Sequence, residues 1–242
     1  MSRPRAAALP AGLLPAALLP AALLLAALLL PGCVGKPPEI LRIQWQVVLV
    51  SDQELGREYT TLSLFVRPND PDGFDDLSEL YLINDEQELY WKLTSDSWQK
   101  SAGGDAWIGS NGVRLPDGSP PPAGEYRVLL RDVGGDSVEQ SFRLPVVSGE
   151  ELRRLLPKVE VRGQEIRVSG RAPVQLLWLY DGNGAFVAAR RLEGGRQALE
   201  ELTAAYPALR AAGGRFRFKV YGTTELGAQG AVGAVSGPFT AE

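Results

Sequence analysis

Eight consecutive residues, Asn69-Asp70-Pro71-Asp72-Gly73-Phe74-Asp75-Asp76, crowd four carboxylates into one segment, and Glu79 follows just beyond. Hard cations such as calcium take several carboxylate and carbonyl oxygens in one shell. Asp70, Asp72, Gly73 and Glu79 fall at positions 3, 5, 6 and 12 of a twelve-residue calcium loop. Pro68, however, stands at the first position, where a ligating side chain belongs, and no helical pattern precedes it. A helix-flanked calcium loop is thereby excluded, and a looser site drawn from Asp70, Asp72, Asp75, Asp76 and Glu79 is the candidate. The same residues also describe a solvated turn, in which Asp and Asn bond their own backbone and Gly supplies a positive φ. Two carboxylates flanking a sugar would make a glycosidase, but acids packed into one loop rarely straddle a cleft.

The remaining candidates are aromatic and basic. Trp91, Trp98 and Trp107 lie close together with Tyr81 and Tyr90. Clustered rings stack on sugars or anchor a protein partner, and they equally fill cores. Trp98 and Trp107 stand in loop-like sequence and are the expected surface pair. Arg190, Arg191, Arg215, Arg217 and Lys219 would make a basic patch, reaching phosphate head groups or the acidic half of the chain, if their strands were neighbours. A solvated sheet face explains them as well. The chain has no histidine, which removes the Ser-His-Asp triad, the Cys-His pair and the usual zinc sites. No phosphate-cradling Gly-rich loop, Cys-x-x-Cys pair or nucleophile elbow occurs. No catalytic residue, no firm metal site and no cofactor other than calcium is expected, and the chain reads as a non-enzyme.

These residues need a scaffold, and the hydropathy pattern describes strands. Leu41, Ile43, Trp45, Val47 and Leu49 alternate with Arg42, Gln44, Gln46 and Val48, the period of a half-buried strand. Leu62, Leu64 and Val66 repeat it, and shorter runs follow at 79–83 and 88–93, with Asn84-Asp85-Glu86-Gln87 as a turn. Residues 101–124 are rich in Gly, Pro and Ser. A hairpin then runs through Tyr126, Val128 and Leu130, turns at Gly134-Gly135-Asp136, and returns through Val138 to Leu144. Ser148 caps a short helix stopped by Pro157. Strands resume at Val159–Val161, Ile166–Val168 and Val174–Tyr180, with Asp181-Gly182-Asn183-Gly184 as a hairpin signal. Leu199, Leu202, Tyr206 and Leu209 are spaced as one helical stripe within 196–212, which Pro207 kinks or ends. The last strand pattern starts at Phe216, Phe218 and Val220.

Short strands with turns between them predict an all-β protein of two tandem sandwiches, the second with an inserted α-helix at about 196–212. The expected divisions are a signal at 1–32, a tether at 33–38, a first domain at 39–147, a linker at 148–157 and a second domain at 158–242. Charge follows the division: residues 33–148 hold 10 basic and 19 acidic side chains, and 149–242 hold 13 and 10. The acidic first half makes nucleic acid an unsuitable partner. Tyr126 follows a turn glycine, where immunoglobulin-like and fibronectin type III-like modules place the tyrosine that pins a corner. The chain resembles those modules there, and again over Phe216–Phe239. Without a Cys pair the antibody-type variant is excluded.

The chain start decides destination. Arg3 and Arg5 precede an uncharged run of Ala, Leu and Pro ending in Leu30-Pro31-Gly32-Cys33, the form of an export signal. Leu at −3, Gly at −1 and Cys at +1 resemble the lipobox of bacterial lipoproteins; Pro31 departs from the Ala or Ser usual there. The resemblance implies cleavage before Cys33, acylation of its thiol (the palmitate-type anchor) and attachment to a membrane, the outer one more than the inner since Val34 is not Asp. The alternative, an uncleaved membrane helix, is opposed by Pro10, Pro15 and Pro20. Cys33 is the sole cysteine, so the mature chain folds without disulfides. The expected function is a lipid-anchored envelope protein with a non-catalytic binding role toward a protein, glycan or cell wall. The alternatives are an accessory subunit of an envelope assembly and, more distantly, an envelope hydrolase.

Overall fold

The computed structural model describes residues 35–101, 106–210 and 215–241. The expected signal and Cys33 lie outside them. Lys36–Glu242 forms one compact unit.

The unit is built on one eight-stranded sheet. Its central members are β1 (Glu39–Asp52), β2 (Arg57–Asn69), β6 (Ile108–Val113), β14 (Phe216–Leu226) and β15 (Gly230–Ala241). β5 (Gln99–Lys100) closes one edge, and β11 (Val174–Tyr180) and β12 (Phe186–Arg191) close the other. The order is β12-β11-β14-β15-β1-β2-β6-β5. β1 and β15 run parallel, with Trp45 opposite Gly230 and Asp52 opposite Gly237. The first and last strands of the unit are thus neighbours, and residues from both halves of the chain share a single ladder.

Two smaller sheets cover this sheet on the same side. One is β4 (Leu89–Thr94), β3 (Leu77–Asn84), β7 (Gly124–Asp132) and β8 (Ser137–Leu144), in that order. With β1, β2, β6 and β15 it encloses a core of Ile43, Val47, Leu62, Leu80, Tyr126 and Leu130. The other is β13 (Arg196–Ala198), β10 (Glu165–Ser169) and β9 (Lys158–Arg162). It encloses Ile166, Leu177, Leu202, Phe216 and Phe218 with the far end of the large sheet. Directly paired residues share a face. The pairs Leu49–Ala234, Ala234–Gly222 and Val220–Leu177 therefore put both cores on one face. The protein is all-β, with two sandwich cores and an inserted helix.

Local chemistry sets the connections. The helix α1 (Gly149–Leu155) starts at a capping box: Ser148 Oγ accepts from Glu151 N at 3.1 Å, and Glu151 Oε2 accepts from Ser148 N at 3.0 Å. Two orphan donors are satisfied reciprocally, and Leu152 is buried in the first core. The second helix, α2 (Leu199–Ala205), is shorter than its stripe predicts. Pro207 lacks the N–H to continue it, and a 3-10 turn over Pro207–Arg210 follows. The stripe nonetheless packs inward, with Leu199, Leu202 and Leu209 all buried in the second core. Tyr126 is fully buried, stacks on Phe142 at 5.6 Å and donates its hydroxyl to Pro122 O at 2.9 Å. That bond to a carbonyl four residues upstream is the corner geometry the sequence suggested.

Candidate binding site

The acidic segment is an exposed turn between β2 and β3. Asp70 Oδ1 accepts from Asp72 N at 2.9 Å, and the backbone N–H of Lys36 donates to Asp72 Oδ2 at 2.5 Å. Carboxylate oxygens of Asp70, Asp72 and Asp76 lie within 4.8 Å of one another, and Asp70 Oδ2 is buried with no hydrogen-bond partner. Partial loss of water, then the charges of Asp132, Asp70 and Asp72, raise the Asp76 carboxyl above the ordinary aspartate range. The other two predicted ligands stand apart. Asp75 is solvated, with Lys100 Nζ at 4.0 Å. Glu79 binds Lys92, Tyr81 Oη at 2.9 Å and Arg131 Nη1 at 3.2 Å, and the hydrogen bond from Lys92, ahead of that from Tyr81, lowers its pKa. Three of the five acids therefore form one cluster.

The aromatic and basic candidates are dispersed in a similar way. Trp98 is 7% exposed and packs in the first core. Trp107 is half-buried. Trp91 is half-buried and donates Nε1 to Arg114 O at 3.2 Å. β11 runs between β12 and β14, so the basic residues do not adjoin. Arg190 pairs across from the buried Leu177 and reaches Glu201 at 4.0 Å. Lys219 sits over the Tyr180 ring at 5.8 Å, and Arg217 pairs with Glu54. With Arg153 on Glu58 at 3.1 Å, basic residues of the second half meet acids of the first at the β1–β2 turn.

A large concavity lies elsewhere, on the face of the eight-stranded sheet that neither covering sheet touches. It is an open trough of about 480 Å³. Paired positions explain it. On this face Gln46 stands opposite Ala231 and Ser63, and Gln44 stands opposite Phe65, which in turn stands opposite Gly109. Small residues make the floor: Ala231 and Ser63. Longer ones make the walls: Arg42, Gln44, Phe65, Asn111 and Glu225. The hairpin joining β14 to β15 forms one end, where Gly227 takes φ 69° and Arg42 Nη2 donates to Ala228 O at 3.4 Å.

Several walls are held in place. Gln46 Nε2 donates to Tyr221 Oη and, at 3.1 Å, to Thr223 Oγ1. Tyr221 stacks on Trp178 with centroids 4.9 Å apart, and burial pushes its pKa up to about 12. It lies over Gly233, where a Cβ would come within 2.7 Å of the ring. Asn111 Nδ2 donates to Gln99 Oε1 at 2.8 Å. The lining thus holds amides, a hydroxyl, two rings (Phe65 and the mostly buried Trp45), one cation and one carboxylate. It is equipped for hydrogen bonding. The polar row Arg42, Gln44, Gln46 reads in the sequence simply as a solvated face. Its concavity depends on strand partners more than 150 residues away.

No protein-family model matches the chain, and no curated protein matches it. Among solved structures it is similar to Tp47, the 47-kilodalton lipoprotein of Treponema pallidum, with 13% identity and a TM-score of 0.39 over 83% of this chain and 50% of that one. It is similar to dimeric latent PorU from Porphyromonas gingivalis, with 14% identity and a TM-score of 0.32 over 84% of this chain and 20% of that one. It is also similar to the N-terminal Ig1-2 module of the Drosophila receptor protein tyrosine phosphatase DLAR, with 12% identity and a TM-score of 0.39 over 84% of this chain and all of that one. The chain spans about half the length of Tp47 and a fifth of PorU. At such scores the fold rests on the strands and cores themselves.

Proposed function

We propose that this is a lipid-anchored, non-catalytic binding protein of a bacterial cell envelope, which captures its partner on the open face of the eight-stranded sheet. The trough carries the reading. On a sheet face the backbone groups are already paired in the ladder, so recognition falls to side chains. Here most of those side chains are polar, and Arg42, Gln46 and Asn111 are held by hydrogen bonds, in a volume typical of ligand sites.

The anchor follows from the lipobox resemblance at Leu30-Pro31-Gly32-Cys33, with attachment to the outer membrane as the default. Among the described residues no helix is long and apolar enough to cross a membrane. Arg42 stands nine residues after Cys33, at most about 30 Å of extended chain. A tether this short favours a cell-wall or envelope partner over one in the medium. An accessory role in an envelope assembly would use the same face.

The test has two arms. Cys33→Ala is expected to release the chain from membranes, and membrane retention of that variant would remove the anchor. Lys36–Glu242, a compact unit, is expected to co-sediment with isolated envelopes of the source cell. Ala231→Trp, which fills the floor, is expected to abolish that. Equal sedimentation of both forms would move binding off this face.

A further inference from the structure

We infer that the trough binds a neutral glycan bearing acetamido groups, as in a strand of N-acetylhexosamines. The inference rests on the trough being the binding face proposed above and names its occupant.

Charge is the first argument. The lining carries one cation, Arg42, and one carboxylate, Glu225, so its formal charge sums to zero. An anionic polymer would meet Glu225, and a cationic peptide would meet Arg42. A neutral ligand meets neither penalty, and guanidinium and carboxylate can each span two neighbouring hydroxyls.

Hydrogen-bond inventory is the second. Gln44, Gln46 and Asn111 present primary amides, each with both a donor and an acceptor end. Both Nε2 contacts of Gln46 stay within the protein, on Tyr221 and Thr223, which aligns that amide before any ligand arrives. Asn111 is held through Nδ2 on Gln99, which leaves its carbonyl oxygen as an acceptor. An acetamido group offers one N–H and one C=O, the complement of a primary amide. The half-buried Phe65 lines the trough, as does Trp45, which is 7% exposed. A half-exposed ring beside several amides suits the apolar face of a sugar or an acetamido methyl.

Shape is the third. The lining draws on β14, β15, β1, β2 and β6. Five strands spaced about 4.8 Å apart span roughly 19 Å, room for an oligosaccharide rather than a single ring. A peptide segment would more readily pair with a sheet edge, where backbone groups are free.

Titration calorimetry of Lys36–Glu242 decides it, with the trimer of N-acetylglucosamine as probe and maltotriose, which lacks acetamido groups, as comparison. Saturable binding of the acetamido trimer is expected, with maltotriose at least about tenfold weaker. Gln44→Ala and Phe65→Ala should each weaken the trimer about tenfold in protein that remains folded, Gln44→Ala without shifting the melting temperature, and Ala231→Trp should abolish it. No binding of the trimer, equal binding of both sugars, or binding indifferent to all three substitutions would overturn the inference. Envelope sedimentation separates the two levels. If envelopes still bind through the trough while the trimer does not, the glycan assignment falls and the binding face stands. If the trimer binds and envelopes do not, the proposed function falls.

Discussion

The two faces of the eight-stranded sheet are made from the same strands, yet they do opposite work. On the inner face Ile43, Val47, Leu62 and Leu177 are fully buried, and each contributes to a core. On the outer face their sequence neighbours Arg42, Gln44 and Phe65 remain open to solvent or half-open around a trough. Alternation sends successive side chains to opposite faces. One strand can therefore carry the stability of the fold and its recognition surface in interleaved residues. Substitutions on the two faces should separate into two phenotypes.

The largest expected effect is on the inner face. Leu62→Ala removes a side chain buried in the first core and should cost about 3 kcal/mol. The urea midpoint measures this, and envelope binding by the molecules that remain folded should be unchanged. Ala231→Trp should do the reverse, abolishing binding with a near-wild-type midpoint. If one substitution produced both losses, the separation of faces would fail.

Tyr126→Phe sharpens the inner-face account. It leaves the ring stacked on Phe142 but removes the hydroxyl from Pro122 O, for an expected loss of about 1 kcal/mol. Ser148→Ala removes the cap of α1 and should also cost about 1 kcal/mol. Chemical denaturation reads both, and neither should alter binding.

The smallest effect concerns the acidic turn, on neither face. The folded-state pKa of Asp76 is raised, first by loss of water and then by Asp132, Asp70 and Asp72. Folding therefore favours its protonated form, and stability falls as pH rises through that pKa. Asp76→Asn should raise the urea midpoint at neutral pH, and the gain should close as pH drops into the aspartate range. A gain that persists in acid would mean that charge is not its cause.

The inner face was legible in the sequence because burial imposes a period. Ile43 to Leu49, Tyr126 to Leu130 and the stripe Leu199–Leu202–Leu209 all signal their buried sides, whereas Leu41, at the register shift between Ile40 and Arg42, is 53% exposed. Local hydrogen bonding was legible too, in the cap at Ser148 and the corner at Tyr126. Helix length in the second half was read too long, since a stripe of apolar residues continues through the 3-10 turn that Pro207 imposes. The trough was not legible. Arg42 and Gln44 have no period that marks a concavity, and its floor is set by Ala231 from the far end of the chain. The conspicuous residues misled for the same reason. Trp98 stands in loop-like sequence but is buried, and the acids of 70–79 divide between a cluster and the Glu79–Lys92–Arg131 network.

Hydroxyl-radical footprinting of Lys36–Glu242, with and without isolated envelope material, locates the partner on the molecule. Binding on the outer face predicts that Phe65 loses reactivity along with the hairpin at 226–230, while the exposed Tyr90 and Phe186 (69% and 60% exposed) remain as reactive as before. Protection of Tyr90, Phe186 or Trp107 with Phe65 unchanged would place the partner at a sheet edge or loop and contradict the account.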